Sequence, residues 1–153
     1  MQSGKVHLAI AFPDYIPNSY HLIKLFEEHH VCVAPPNSKL LTSNPSLKEI
    51  ANYPSIIASP SRPNFKGSID DWLKQFGLER NIVVSAPCFS IVPMYLETTD
   101  SIAFLPSRAI QGLNLSEIPL EHVPDPFDVI AAWHPRYNED ALQKWVISLL
   151  QVE

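Results

Sequence analysis

The chain has 153 residues, of which 46% are hydrophobic and 18% charged, with a formal net charge of -5 at pH 7. That balance is ordinary for a globular protein with room for one good core or two small lobes, and it excludes a disordered chain. The acidic excess also excludes a broad phosphate-binding surface, because nucleic-acid affinity leans on clustered Lys and Arg that release counterions.

Fifteen prolines against four glycines divide the chain into short segments of alternating character. Residues 6–12, Val-His-Leu-Ala-Ile-Ala-Phe, are an apolar run closed by Pro13 and read as a buried strand. Residues 20–34 alternate at first (Tyr20, Leu22, Lys24, Phe26) and end solidly apolar, which predicts one long strand with Glu27-Glu28-His29-His30 as its polar break. After the loop 35–45, Ser46 stands three residues before Glu49, the spacing of a capping box, so a short helix is expected up to Pro54. Residues 55–59 read as a strand. Residues 67–77 read as a helix with Gly67 or Ser68 as cap, Asp70 and Asp71 in the first turn where the dipole favours negative charge, and Gly77 as its left-handed stop. Ile69, Trp72, Leu73 and Phe76 share one face of it and are expected in the core.

A strand over 81–86, a helix over 88–97, a strand over 101–105 and a loose extended stretch over 113–120 follow, then a strand over 128–134 and a closing helix over 140–151. That last helix carries Leu142, Trp145, Val146, Leu149 and Leu150 on one side. Strands and helices in alternation, with apolar strands, imply an α/β fold with largely parallel sheets covered on both faces. Cys32 and Cys88 lie in different apolar surroundings with no C-x-x-C spacing, so two buried free thiols are expected. No apolar run approaches the roughly 20 residues of a membrane span, and Met1-Gln2-Ser3-Gly4-Lys5 lacks the apolar stretch of a secretory signal. A soluble, cytoplasmic protein with no membrane partner is expected.

Catalytic signatures are absent: there is no G-x-S-x-G elbow, no phosphate-cradling G-x-x-x-x-G-K-[ST], no G-x-G-x-x-G and no H-E-x-x-H. His29 and His30 are adjacent and on a strand point to opposite faces, so they do not share a metal. No enzyme, no cofactor and no metal is therefore expected. Ligands of open α/β sheets bind outside the carboxyl ends of strands, near helix N-termini with unpaired N–H groups. Two stretches meet that description: Ser59-Pro60-Ser61-Arg62-Pro63-Asn64-Phe65, and Ser85 to Ser90 with Cys88 and Phe89. Ser59 and Ser61 either donate to a ligand or cap and brace the turn; Arg62 either pairs with a carboxylate or stays solvated; Phe89 is either pocket wall or core.

Several strings, in order, resemble the effector-binding domain of LysR-type bacterial transcriptional regulators. Ser3-Gly4-Lys5-Val6-His7-Leu8-Ala9-Ile10 resembles that family's SG-x-hydrophobic-D-LAI strand. Leu25-Phe26-Glu27-Glu28 with Val31-Cys32-Val33-Ala34 resembles its crossing strand. Ile69-Asp70-x-x-Leu73 with Phe76-Gly77 resembles a helix of its second lobe. Thr98-Thr99-Asp100-Ser101-Ile102-Ala103-Phe104-Leu105-Pro106 is similar to its T-D-x-I-A-x-L-P turn and strand, and Trp133-His134-x-Arg136 with Trp145 resembles its last strand and helix. His7 departs from the usual aspartate, and Asn37-Ser38-Lys39-Leu40 replaces a common His-Pro-Leu turn.

The resemblance implies a type 2 periplasmic-binding-protein-like fold, with the second lobe (29–126) complete and the first represented by 1–28 and 127–153. It also implies a ligand-sensing regulatory domain that binds a small organic effector, such as an organic or aromatic acid, between lobes. DNA would be bound only through an N-terminal domain outside this chain, in a homo-oligomer. Effector contacts are assigned to Ser59, Ser61, Arg62, Pro63, Asn64, Phe65, Cys88 and Phe89, and a hinge to Phe26, Glu27, Glu28, Ile130 and Ala131. The alternative is a solute-binding module of the same fold without a transcriptional role. Because Met1 would begin within a lobe, self-association through exposed apolar surface and weakened effector binding are expected of this chain.

Overall fold

The computed structural model describes residues 1–59 and 67–151. Their elements are β1 (Leu8–Ala11), β2 (His21–Glu28), β3 (His30–Ala34), α1 (Leu47–Asn52), β4 (Ser55–Ala58), α2 (Ser68–Lys74), β5 (Ile82–Ala86), α3 (Val92–Thr98), β6 (Ile102–Pro106), β7 (Ser116–Glu117), β8 (Phe127–Trp133) and α4 (Ala141–Leu150). They divide into two compact units, Met1–Glu28 with Pro126–Glu153, and His29–Asp125. The predicted single strand over 20–34 is thus two strands in two sheets. His29 separates them, and its carbonyl accepts the Ser107 N–H at 2.9 Å.

The first unit is an antiparallel sheet in the order β1-β8-β2, with Leu8 and His21 both opposite Trp133. A largely parallel sheet was expected; here the strands are antiparallel because β8 returns after the whole second unit and lies between β1 and β2. The closing helix α4 starts at the Asp140 cap, whose carboxylate accepts the Gln143 N–H at 2.8 Å. Its apolar stripe is not the buried side. Leu142, Trp145 and Leu149 are 67%, 59% and 53% exposed, whereas Gln143 is buried.

The second unit is a five-stranded sheet in the order β5-β4-β6-β3-β7, in which β5, β4 and β6 are parallel and β3 pairs antiparallel with β6 and β7. Strand periodicity sorts its core into two layers. Cys32, Ala34, Ile102 and Phe104 face α1 and α2 with Ile50, Ile69 and Leu73, while Val33, Ala103 and Leu105 face α3 with Val92 and Leu96. Both faces are covered, which explains why these strands are apolar without alternation.

Helix α1 carries the anticipated capping box: the Ser46 hydroxyl accepts the Glu49 N–H at 3.3 Å, and the Glu49 carboxylate accepts the Ser46 N–H at 2.8 Å. Gly67 caps α2, and Gly77 adopts φ 69° where the helix stops. Asp70 does more than oppose the helix dipole. Its carboxylate accepts the Gly67 N–H and two bonds from the Arg80 guanidinium, Nε at 2.8 Å and Nη2 at 2.6 Å. Arg80 is 3% exposed and lies 5.9 Å over the Phe104 ring. Ile69, Trp72 and Leu73 are core as expected, but Phe76 falls past the last turn of α2 and is 41% exposed. The helix expected over 88–97 opens instead with a tighter 3-10 turn at Phe89–Ile91, and α3 begins one residue before Pro93, whose missing N–H is tolerated only in a first turn.

Candidate functional site at the carboxyl ends of β4 and β5

β4 and β5 run parallel with Ala58 opposite Ala86, and the Ser59 N–H donates to the Ala86 carbonyl at 2.8 Å. Their carboxyl ends are therefore side by side, with Ser59 leaving one strand and Pro87-Cys88 leaving the other. Ser61, Arg62, Pro63, Asn64 and Phe65 lie outside the described residues. Of the sequence-derived set, Ser59, Cys88 and Phe89 are brought to this edge. Ser59 is half-buried; Phe89 is half-buried and packs against the α3-side core.

Cys88 departs from expectation. Cys32 is a buried free thiol, but Cys88 is exposed, because it stands in extended backbone just before the 3-10 turn and not inside a helix. Its Sγ lies 3.2 Å from the Ser90 hydroxyl. That hydrogen bond, with further support from the Ile91 and Ser90 N–H groups, holds the thiol below its ordinary pKa, against a smaller opposing effect of burial. Ser90 was not singled out in the sequence; the signal was a hydroxyl two residues after a cysteine at a helix start. Cys32 shows the reverse, its thiol pushed up to about 12 by burial while the Arg80 charge opposes.

The five residues assigned to a hinge sit in β2 and β8, where Phe26, Glu27 and Glu28 lie opposite Val129, Asp128 and Phe127, and Ile23 and Lys24 lie opposite Ala131 and Ile130. A register shift between Lys24 and Phe26 interrupts this pairing. Glu28, Ile130 and Ala131 are buried. On the exposed face Lys24 bonds Asp128 at 2.6 Å and Glu27 at 3.4 Å, and the Asp128 hydrogen bond foremost raises its pKa.

Two open depressions lie at the other end of the parallel strands. One, of about 380 Å³, is lined by Leu40, Lys48, Glu49, Asn52 and Tyr53; the other, of about 350 Å³, by Asn37, Lys39, Glu97, Thr98, Thr99 and Asp100. Their residues precede β4 and β6, away from the carboxyl ends where ligands of open α/β sheets bind. Among the described residues no cluster of three or more His, Cys, Asp or Glu is placed to hold a metal, and no helix is long and apolar enough to cross a membrane.

The LysR substrate binding domain model matches residues 1–153. Nodulation protein D 2 of Sinorhizobium fredii (strain NBRC 101917 / NGR234) is 32% identical over 161 residues, covering 100% of this chain and 50% of that protein. The HTH-type transcriptional activator NahR of Pseudomonas putida is 23% identical over 98% of this chain and 51% of its own length. This chain thus spans about half the length of the curated relatives it matches. The crystal structure of probable transcriptional regulator PA0477 from Pseudomonas aeruginosa is similar with a TM-score of 0.84 at 20% identity, covering 97% of this chain and 50% of that one. The CcmR regulatory domain of Synechocystis PCC6803, solved in complex with 2-PG, is similar with a TM-score of 0.82 at 11% identity, covering 99% and 74%. The fold is accordingly the mixed α/β, type 2 periplasmic-binding-like one, and this chain belongs to the LysR substrate-binding domain family.

Proposed function

We propose that this chain is the ligand-sensing part of a LysR-type transcriptional regulator, and that a small organic effector binds beyond the carboxyl ends of β4 and β5. The observation that carries the reading is the juxtaposition of those two strand ends, Ser59 N–H to Ala86 carbonyl at 2.8 Å, in a member of this family. Ser59, Cys88 and Phe89 supply polar and aromatic surface there, with Ser61, Arg62, Pro63, Asn64 and Phe65 completing the set. The Ser90 and Ile91 N–H groups that already point at the Cys88 sulfur favour negative charge at this edge, which supports an organic or aromatic acid as the effector class. Better affinity for one arrangement of the two units shifts their equilibrium through the strands carrying Phe26, Glu27, Glu28, Ile130 and Ala131, and a DNA-binding domain outside this chain reads the shift. NahR is named as a transcriptional activator, which favours this over a solute-binding role. The test is DNA binding by the longer gene product containing this sequence, with and without benzoate-type acids. Retention of promoter-proximal DNA, altered by an acid, is expected; failure to bind any such DNA would overturn the reading.

We propose further that the chain self-associates through the first unit. The support is the exposed stripe Leu142, Trp145 and Leu149 on α4, a contiguous apolar surface of the kind that water disfavours. In sedimentation equilibrium the average mass should rise above the 17.2 kDa of one chain with concentration, and Trp145→Glu should return it to that value. A monomer at all concentrations would count against it.

A further inference from the structure

The two connections between the units differ. Outward, β2 ends at Glu28 and β3 begins at His30, with the His29 carbonyl held by Ser107. The return from β7 to β8 spans residues 118–126 and is held by side chains as well as by backbone. Ile118 is buried and its N–H donates to the Cys32 carbonyl at 2.9 Å; Leu120 packs on the same core, and Pro124 is buried. Between them the His122 ring stacks on Phe76, with centroids 5.1 Å apart and planes at 24°.

Phe76 is the ring that the helix pattern assigned to the core and the structure leaves exposed. It packs edge-on to Trp72 at 5.6 Å, and Trp72 likewise to Phe104 at 6.0 Å. A ladder of rings thus runs from β6 through α2 to the return segment. Helix α2 is also fixed at its start by the Asp70–Arg80 pair. We infer that Phe76 and His122 form a strap by which the end of α2 holds the return segment, so that the turn at 75–78 and residues 121–125 open together. The strap is independent of the effector site proposed above and depends on no ligand.

Coupling between two segments is reciprocal, which makes the strap testable in the unliganded chain. Hydrogen exchange should be followed by mass spectrometry for His122→Ala and His122→Phe. His122→Ala should speed exchange of residues 121–125 and also of the turn at 75–78 by between about twofold and tenfold, the Boltzmann factor of one aromatic pair. His122→Phe keeps a ring on Phe76 and should restore both. Unchanged exchange in His122→Ala, a response confined to 121–125, or no restoration by His122→Phe would each overturn the strap. Because no effector enters the experiment, its failure leaves the effector reading untouched.

Discussion

Replacing Asp70 with alanine should destabilise the second unit by about 3–5 kcal/mol, the usual cost of leaving a buried charge without its partner. Arg80 is 3% exposed and donates two hydrogen bonds to Asp70, so the variant strands a guanidinium beneath α2 and also frees the Gly67 N–H. For a unit of this size each kcal/mol moves the melting midpoint by about 4–8 °C, so a fall of more than about 12 °C is expected. Trp72, buried on the same helix, reports the transition by fluorescence. A second variant separates the ion pair from simple dipole compensation. If Asp70 only opposed the helix dipole, its loss would cost no more than about 1 kcal/mol. If the pair matters as a pair, Asp70→Leu combined with Arg80→Met should recover much of the loss, because removing both charges leaves neither one uncompensated. A loss under about 1 kcal/mol in Asp70→Ala would refute the account.

The two cysteines should differ in alkylation rate by at least about 1,000-fold in the folded chain. The thiolate is the reacting species, and a thiol held at about 12 is ionised to only roughly one part in 10,000 at pH 8. Cys32 is in addition 1% exposed. Cys88 is exposed and its pKa is lowered by the Ser90 hydroxyl, so iodoacetamide at pH 8 should give a single adduct at Cys88. Mass spectrometry of the digested chain reads this directly, and urea should admit a second adduct at Cys32. Ser90→Ala removes the leading donor to the anion and should slow the Cys88 reaction below neutral pH most, where the thiolate fraction limits the rate. Equal labelling of both thiols in the folded chain, or no effect of Ser90→Ala, would contradict the assignment.

Much of this architecture was legible because local rules and tertiary packing agree. Ser46 and Glu49 met as a capping box, Gly77 took the left-handed conformation it was expected to take, and the apolar strands of the second unit proved to be covered on both faces. Failures came where a residue's role depends on a partner distant in sequence. Asp70 looked like a dipole residue because Arg80 is ten positions away and no helix periodicity links them. The stripe on α4 had the right spacing for a core helix, but spacing specifies a face without saying what lies against it. The apolar surroundings of Cys88 predict burial, but it stands in extended backbone before the 3-10 turn and is exposed. At the candidate site, the pairing of Ser59 with Ala86 follows from reading β4 and β5 as parallel, whereas the Cys88–Ser90 contact depends on a 3-10 turn that the sequence pattern does not distinguish from an α-helix.

The position of β8 between β1 and β2 has a consequence during synthesis. Among the described residues β1 and β2 do not pair with each other, and β8, which pairs with both, exists only once residues 127–133 are made. At about 5–20 residues per second, that interval lasts on the order of 5–20 s on the ribosome. The second unit, whose strands are contiguous in the chain, is complete in sequence before then. β1 and β2 are thus made before the second unit but paired with β8 only after it, and an unpaired strand edge in the nascent chain invites mispairing in that interval.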